Sequence, residues 1–108
     1  MITTHVLDTA LGGPAVGLAV VLEMQRASEW VRLANAQTDD RGRVSGWDHE
    51  VIVAPGVYRL TFDTATYHRD VRSFFPEVQV TFKVREGTHH VHVPLLLSPF
   101  GFSTYKGV

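Results

Sequence analysis

The feature that most constrains this chain is the shortness of its apolar runs and the frequency with which turn residues interrupt them. Val78 to Val84 alternates cleanly, with Val78, Val80, Phe82 and Val84 on one side and Gln79, Thr81 and Lys83 on the other. That is the period of a half-buried β-strand. Ile2 to Leu7 alternates less perfectly, Ile2, Thr4 and Val6 against Thr3, His5 and Leu7. Val16 to Met24, Glu29 to Ala36, Val51 to Val53, Val57 to Phe62, His89 to Leu97 and Phe100 to Tyr105 read as further strands. Gly12-Gly13-Pro14, Asp39-Asp40-Arg41-Gly42, Ala54-Pro55-Gly56, Gly87 and Ser98-Pro99 punctuate them. Only Thr64 to Phe74 has low β-propensity, which predicts one short helix ending near Pro76. About eight strands and one helix predict an all-β sandwich of two antiparallel four-stranded sheets.

Composition narrows the function classes. The 108 residues suit one domain, residues 1–108, that buries a core without staples. There is no cysteine, so disulfides and thiolate metal sites are excluded. The net charge of −1, with no run of like charges, lacks the footprint of a nucleic-acid binder. No apolar stretch approaches the roughly 20 residues of a membrane span. Met1-Ile2-Thr3-Thr4-His5 has neither the basic start nor the apolar block of a signal peptide, and the chain reads as soluble and cytoplasmic.

Six histidines carry the chemistry on offer: His5, His49, His68, His89, His90 and His92. No GxSxG elbow or HExxH helix accompanies them, so serine-nucleophile and zinc-protease chemistry has no motif here. Histidine is the side chain best suited to proton transfer near neutrality. His5 and His92 fall on strand faces turned away from the expected core. Spacing alone does not separate them from solvated or interface histidines. If Val91, Val93 and Leu95 face the core, then His90, His92, Pro94 and Leu96 form an outward stripe, the kind of surface that marks an interface or a site. His90 and His92 could share a metal only with a third ligand, and no carboxylate occupies the neighbouring positions on that face, so no metal is expected. His49 and His68 lie in predicted loop or helix. Arg43 follows a turn, and Ser103 and Tyr105 share a face of the last strand.

Longer motifs go further than spacing. Thr4-His5-Val6-Leu7-Asp8 at the start, and the run from His90 to Val108 through Pro94-Leu95-Leu96-Leu97-Ser98-Pro99-Phe100-Gly101, resemble the opening and closing signatures of the hydroxyisourate hydrolases of the transthyretin family. Gly42-Arg43, Pro55-Gly56-Val57-Tyr58, Phe62-Asp63-Thr64 and Phe74-Phe75-Pro76-Glu77-Val78 fall where that family has similar segments, so the resemblance spans the chain. It implies a two-sheet, transthyretin-like sandwich assembling as a homotetramer with a central channel. It implies hydrolysis of 5-hydroxyisourate in urate degradation without a cofactor. It maps catalytic groups onto His5, Arg43 and His92, and the family's closing tetrapeptide onto Tyr105, Lys106, Gly107 and Val108 as substrate contacts; Ser103, from its shared face with Tyr105, is a further candidate contact. Which histidine activates water stays open.

Two departures stand out. The family's usual ending is Tyr-Arg-Gly-Ser, whereas this chain ends Tyr105-Lys106-Gly107-Val108. Lysine keeps the charge and loses the bidentate fork, and valine loses a hydroxyl. The aromatic residue usual between the two histidines is Val91 here. The rival expectation is a transthyretin-like carrier of a small ligand, which needs an apolar channel face; the histidines and Arg43 argue against it.

Overall fold

A computed structural model describes residues 1–108. The strands are β1 (Ile2–Asp8), β2 (Gly13–Pro14), β3 (Ala19–Arg26), β4 (Glu29–Gln37), β5 (Arg43–Val44), β6 (Gly56–Phe62), β7 (Val78–Val84), β8 (Val91–Ser98) and β9 (Gly101–Thr104). The helix α1 (Thr64–Tyr67) sits between β6 and β7. One sheet runs β4-β3-β6-β7 and is antiparallel throughout. The other runs β2-β1-β8-β9, with β5 also pairing along β1.

The inner faces follow from alternation. Ile2, Thr4 and Val6 of β1 pack inward, as do Val91, Val93, Leu95 and Leu97 of β8. From the facing sheet come Val20 and Leu22 of β3, Tyr58, Leu60 and Phe62 of β6, and Val78 and Val84 of β7. Removing a fully buried leucine such as Leu60 or Leu95 would cost about 2–5 kcal/mol. The buried Tyr58 satisfies its hydroxyl on the backbone four residues upstream. It donates to the Ala54 carbonyl at 2.7 Å and accepts from the Ala54 N–H at 3.0 Å.

The all-β sandwich agrees with the sequence reading, and its details differ. Short strands form at Gly13–Pro14 and Arg43–Val44, where the sequence reading has none, and β8 begins at Val91 rather than His89. Three further differences bear on the site or the core. The sheet that carries β1 has five strands and is not wholly antiparallel, because β1 and β8 run parallel from Ile2 opposite Val91 to Asp8 opposite Leu97. Val51 to Val53 forms no strand. Val51 and Val53 pack against the core from a loop, so their apolar character serves burial without a ladder. The helix stops at Tyr67 rather than reaching Phe74. Asp63 caps it by accepting from the Thr66 N–H at 3.1 Å, but Arg69 to Phe74 is exposed along its whole length, with no apolar face to hold a further turn.

Candidate functional site on the outer face of the β1–β8 sheet

Alternation that sends Thr4 and Val6 inward sends Thr3, His5 and Leu7 outward, and the pairing register then assigns their neighbours. Thr3 lies opposite His92, His5 opposite Pro94, and Leu7 opposite Leu96. On the other side of β1, His5 lies opposite Arg43. One row across the sheet therefore reads Arg43, His5, Pro94, and the next contains Thr3 and His92. Strand spacing and rise put the His5 and His92 Cα atoms about 8 Å apart.

Arg43 reaches its position through a tightly specified turn. Asp39 Oδ1 accepts from the Arg41 and Arg43 N–H groups, each at 2.9 Å. Those two bonds, Arg43 first, hold the Asp39 carboxyl below its ordinary pKa of 3.8. Gly42 adopts φ +76°, and a Cβ there would lie 2.4 Å from the Val6 carbonyl oxygen, so neither the conformation nor the space admits a side chain. The Gly42 carbonyl accepts from the Val6 N–H at 2.7 Å, which seats the turn against β1. The same turn presents the Arg41 carbonyl to His5 Nε2 at 2.9 Å. A carbonyl only accepts, so Nε2 carries the proton and the lone pair of a neutral His5 is on Nδ1.

His92 is half-buried, and its Nδ1 lies 2.8 Å from the hydroxyl of Thr3. Its pKa is pushed below 6.5, first by desolvation and then by the basic groups Arg43, His5 and His90 around it; hydrogen bonding to the Thr3 backbone opposes the shift. The ring is thus neutral at pH 7, half-exposed, and surrounded by basic groups.

The chain end closes along β8. The Gly107 N–H donates to the His92 carbonyl at 2.8 Å. This continues the β8–β9 register, in which Ser98 faces Gly101 and Leu95 faces Thr104, so Gly107 falls opposite His92 and Tyr105 opposite Pro94. A Cβ on Gly107 would lie 2.5 Å from His92 Cδ2, so a side chain here would displace the imidazole.

His5, Arg43 and His92 thus gather on one face, with Gly107 against His92. Ser103 shares the face beside Leu96, four residues along β8 from His92 and about 13 Å away. Tyr105 and Lys106 also border a groove of about 590 Å³ that includes Val91, Val93 and Phe82, on the core side of β8. Val108 is fully exposed. Neither this groove nor a concavity of about 390 Å³ around Trp47 and His49 includes His5, Arg43 or His92. On the histidine face Arg43 is exposed, and His5 and His92 are half-buried. His90 lies outside β8 and is exposed, so the outward stripe begins at His92. His68 is buried, and its Nε2 has no partner.

The sequence reading missed Thr3 as a site residue. Its signal was present, since Thr3 shares the outward face with His5, but only the parallel register of β1 on β8 places its hydroxyl at His92.

Residues 2–107 match the HIUase/transthyretin family. The chain belongs to that family. It is 44% identical to the 5-hydroxyisourate hydrolase of Mus musculus over 98% of this chain and 93% of that one. It is 41% identical to the 5-hydroxyisourate hydrolase of Salmonella typhimurium, over 99% of this chain and 80% of that one. Among solved structures of the HIUase/transthyretin fold, a Klebsiella pneumoniae 5-hydroxyisourate hydrolase superposes with a TM-score of 0.83 at 34% identity, covering 99% of this chain and 98% of that one. Sea bream transthyretin in complex with thyroxine superposes with a TM-score of 0.91 at 32% identity, over 99% and 94%. The better superposition is with a thyroxine-bound transthyretin and the higher identities are with hydrolases. Backbone shape is common to both, so the chemistry of the histidine face carries the distinction.

Proposed function

We propose that this protein is a cytoplasmic hydrolase that opens 5-hydroxyisourate to 2-oxo-4-hydroxy-4-carboxy-5-ureidoimidazoline in urate degradation. The observation that carries the reading is the convergence of His5, Arg43 and His92 on one sheet face, with the His92 pKa lowered so that the ring is neutral at pH 7. A carrier has no need of a neutral imidazole beside a guanidinium.

The chemistry follows from these groups. His92 takes a proton from water as the water oxygen bonds to the ring carbonyl carbon. Arg43 offsets the negative charge that develops on the carbonyl oxygen. His5, with Nδ1 as acceptor, receives a substrate N–H and fixes the ring. The carbonyl carbon–nitrogen bond then breaks, its electron pair stays on nitrogen, and His92 returns the proton there. Water supplies both the hydroxyl of the new carboxyl group and the hydrogen of the leaving nitrogen. Acid–base help of this kind accelerates a reaction by roughly 10²–10⁴-fold, and no step calls for a cofactor.

The proposed substrate contacts are Ser103 and the tail residues Tyr105, Lys106, Gly107 and Val108. Because Arg43 is exposed in the single chain, the proposal includes a homotetramer in which another subunit covers the histidine face and excludes water. Lys106, which borders the separate groove, meets substrate in that assembly. The test is the ultraviolet decay of freshly made 5-hydroxyisourate with and without the protein. Decay well above the spontaneous rate supports the hydrolase. Decay at the spontaneous rate, together with tight binding of an aromatic ligand such as thyroxine, would establish the carrier alternative instead.

A further inference from the structure

We propose that Thr3 is a positioning residue that holds His92 with its proton on Nδ1 and so presents Nε2 as the proton acceptor. The inference rests on the reading of His92 as the group that activates water.

A histidine works as a base through one nitrogen only when the other is held as a donor, because the wrong tautomer offers an N–H where a lone pair is needed. In this fold the partner of Nδ1 is the Thr3 hydroxyl, 2.8 Å away. Thr3 is 8% exposed, so water does not compete freely for that hydroxyl. Its backbone is locked opposite His92 by the parallel ladder of β1 on β8. The hydroxyl oxygen can accept from an Nδ1 proton, and the opposite edge of the ring, at Cδ2, faces Gly107 and the chain end.

The choice of a hydroxyl has its own logic. The ionisable groups acting on His92 are Arg43 from β5, His5 from β1 and His90 from the segment before β8, and all are basic. A carboxylate at position 3 would orient the ring equally well but would stabilise the imidazolium and raise the pKa. Threonine orients without adding charge, so the ring stays neutral while its direction is fixed.

The experiment compares wild type with Thr3→Val, which keeps the β-branched shape, and with Thr3→Ser, which keeps the hydroxyl. Long-range proton–nitrogen NMR correlations of the His92 ring read the tautomer directly, without turnover. Wild type and Thr3→Ser should show the proton on Nδ1, and Thr3→Val should show a mixture. In the decay assay Thr3→Val should lose about tenfold in kcat, the fold-change of one neutral hydrogen bond, with KM little altered, and Thr3→Ser should recover most of it. A proton on Nε2 in wild type, or a Thr3→Val tautomer and kcat identical to wild type, would overturn the proposal. A wild type that does not turn over 5-hydroxyisourate would refute the proposed function, and the tautomer measurement would still decide the part assigned to Thr3.

Discussion

At the scale of the residue, the face depends on small polar contacts that set direction and charge. His92 illustrates the charge. Desolvation and three basic neighbours lower its pKa from 6.5, and a base must be unprotonated to act. A lowered value means the ring stays neutral as pH falls through 6.5 and protonates only further down. The acid limb of kcat/KM therefore lies below pH 6.5, lower than an unperturbed histidine would give. NMR titration of His92 should give a midpoint below 6.5 that moves upward in Arg43→Gln, because a positive neighbour has been removed; a midpoint above 6.5 in wild type would contradict the electrostatics. Asp39 illustrates direction. Asp39→Ala removes the acceptor of two backbone N–H groups that fix Arg43 and the Arg41 carbonyl. The variant should remain folded, since Asp39 is exposed, and lose about tenfold or more in kcat/KM in the decay assay. An unchanged rate would mean that the turn holds its shape without that side chain.

At the scale of the element, much of the architecture was legible in the sequence. Val78 to Val84 matches β7 residue for residue, because its side chains alternate between core and solvent without exception. Val51 to Val53 looked like a strand because composition does not distinguish apolar residues that pair from those that merely pack. The helix was overextended because low β-propensity is not helix stability. The parallel pairing of β1 with β8 was not legible at all, since the two strands are far apart in the chain and nothing local specifies the partner. His5, Arg43 and His92 could be named from outward position and motif, but Thr3 could not, because its part depends on that pairing. Two predictions belong to elements. Tyr58→Phe leaves the Ala54 backbone groups without their hydroxyl partner; denaturant unfolding should show a loss of about 1–3 kcal/mol, and an unchanged midpoint would contradict the corner's contribution. Gly107→Ala places a methyl against His92; it should cut turnover by about tenfold or more while the unfolding midpoint barely moves, because the chain end adds little to the core. Val108→Ser, by contrast, should change the rate less than about tenfold, since Val108 is exposed.

At the scale of the whole molecule, the sandwich is closed on its inner faces and carries the histidines on an outer one. Arg43 is exposed in the single chain, and charge stabilisation of the kind assigned to it is strongest where water is excluded. Light scattering at micromolar concentration should return the mass of four 12.0 kDa chains, and a stable, fully active monomer would contradict the shared site. No helix is long and apolar enough to cross a membrane. The measurement that bears most directly on the account is the decay of 5-hydroxyisourate in wild type, His5→Asn and His92→Asn, with folding checked by circular dichroism. Both positions lie on the outer face, so the variants should keep the sandwich. The account predicts rapid decay in wild type and losses of roughly 10²-fold or more in each variant. Wild-type activity retained in both folded variants would contradict it.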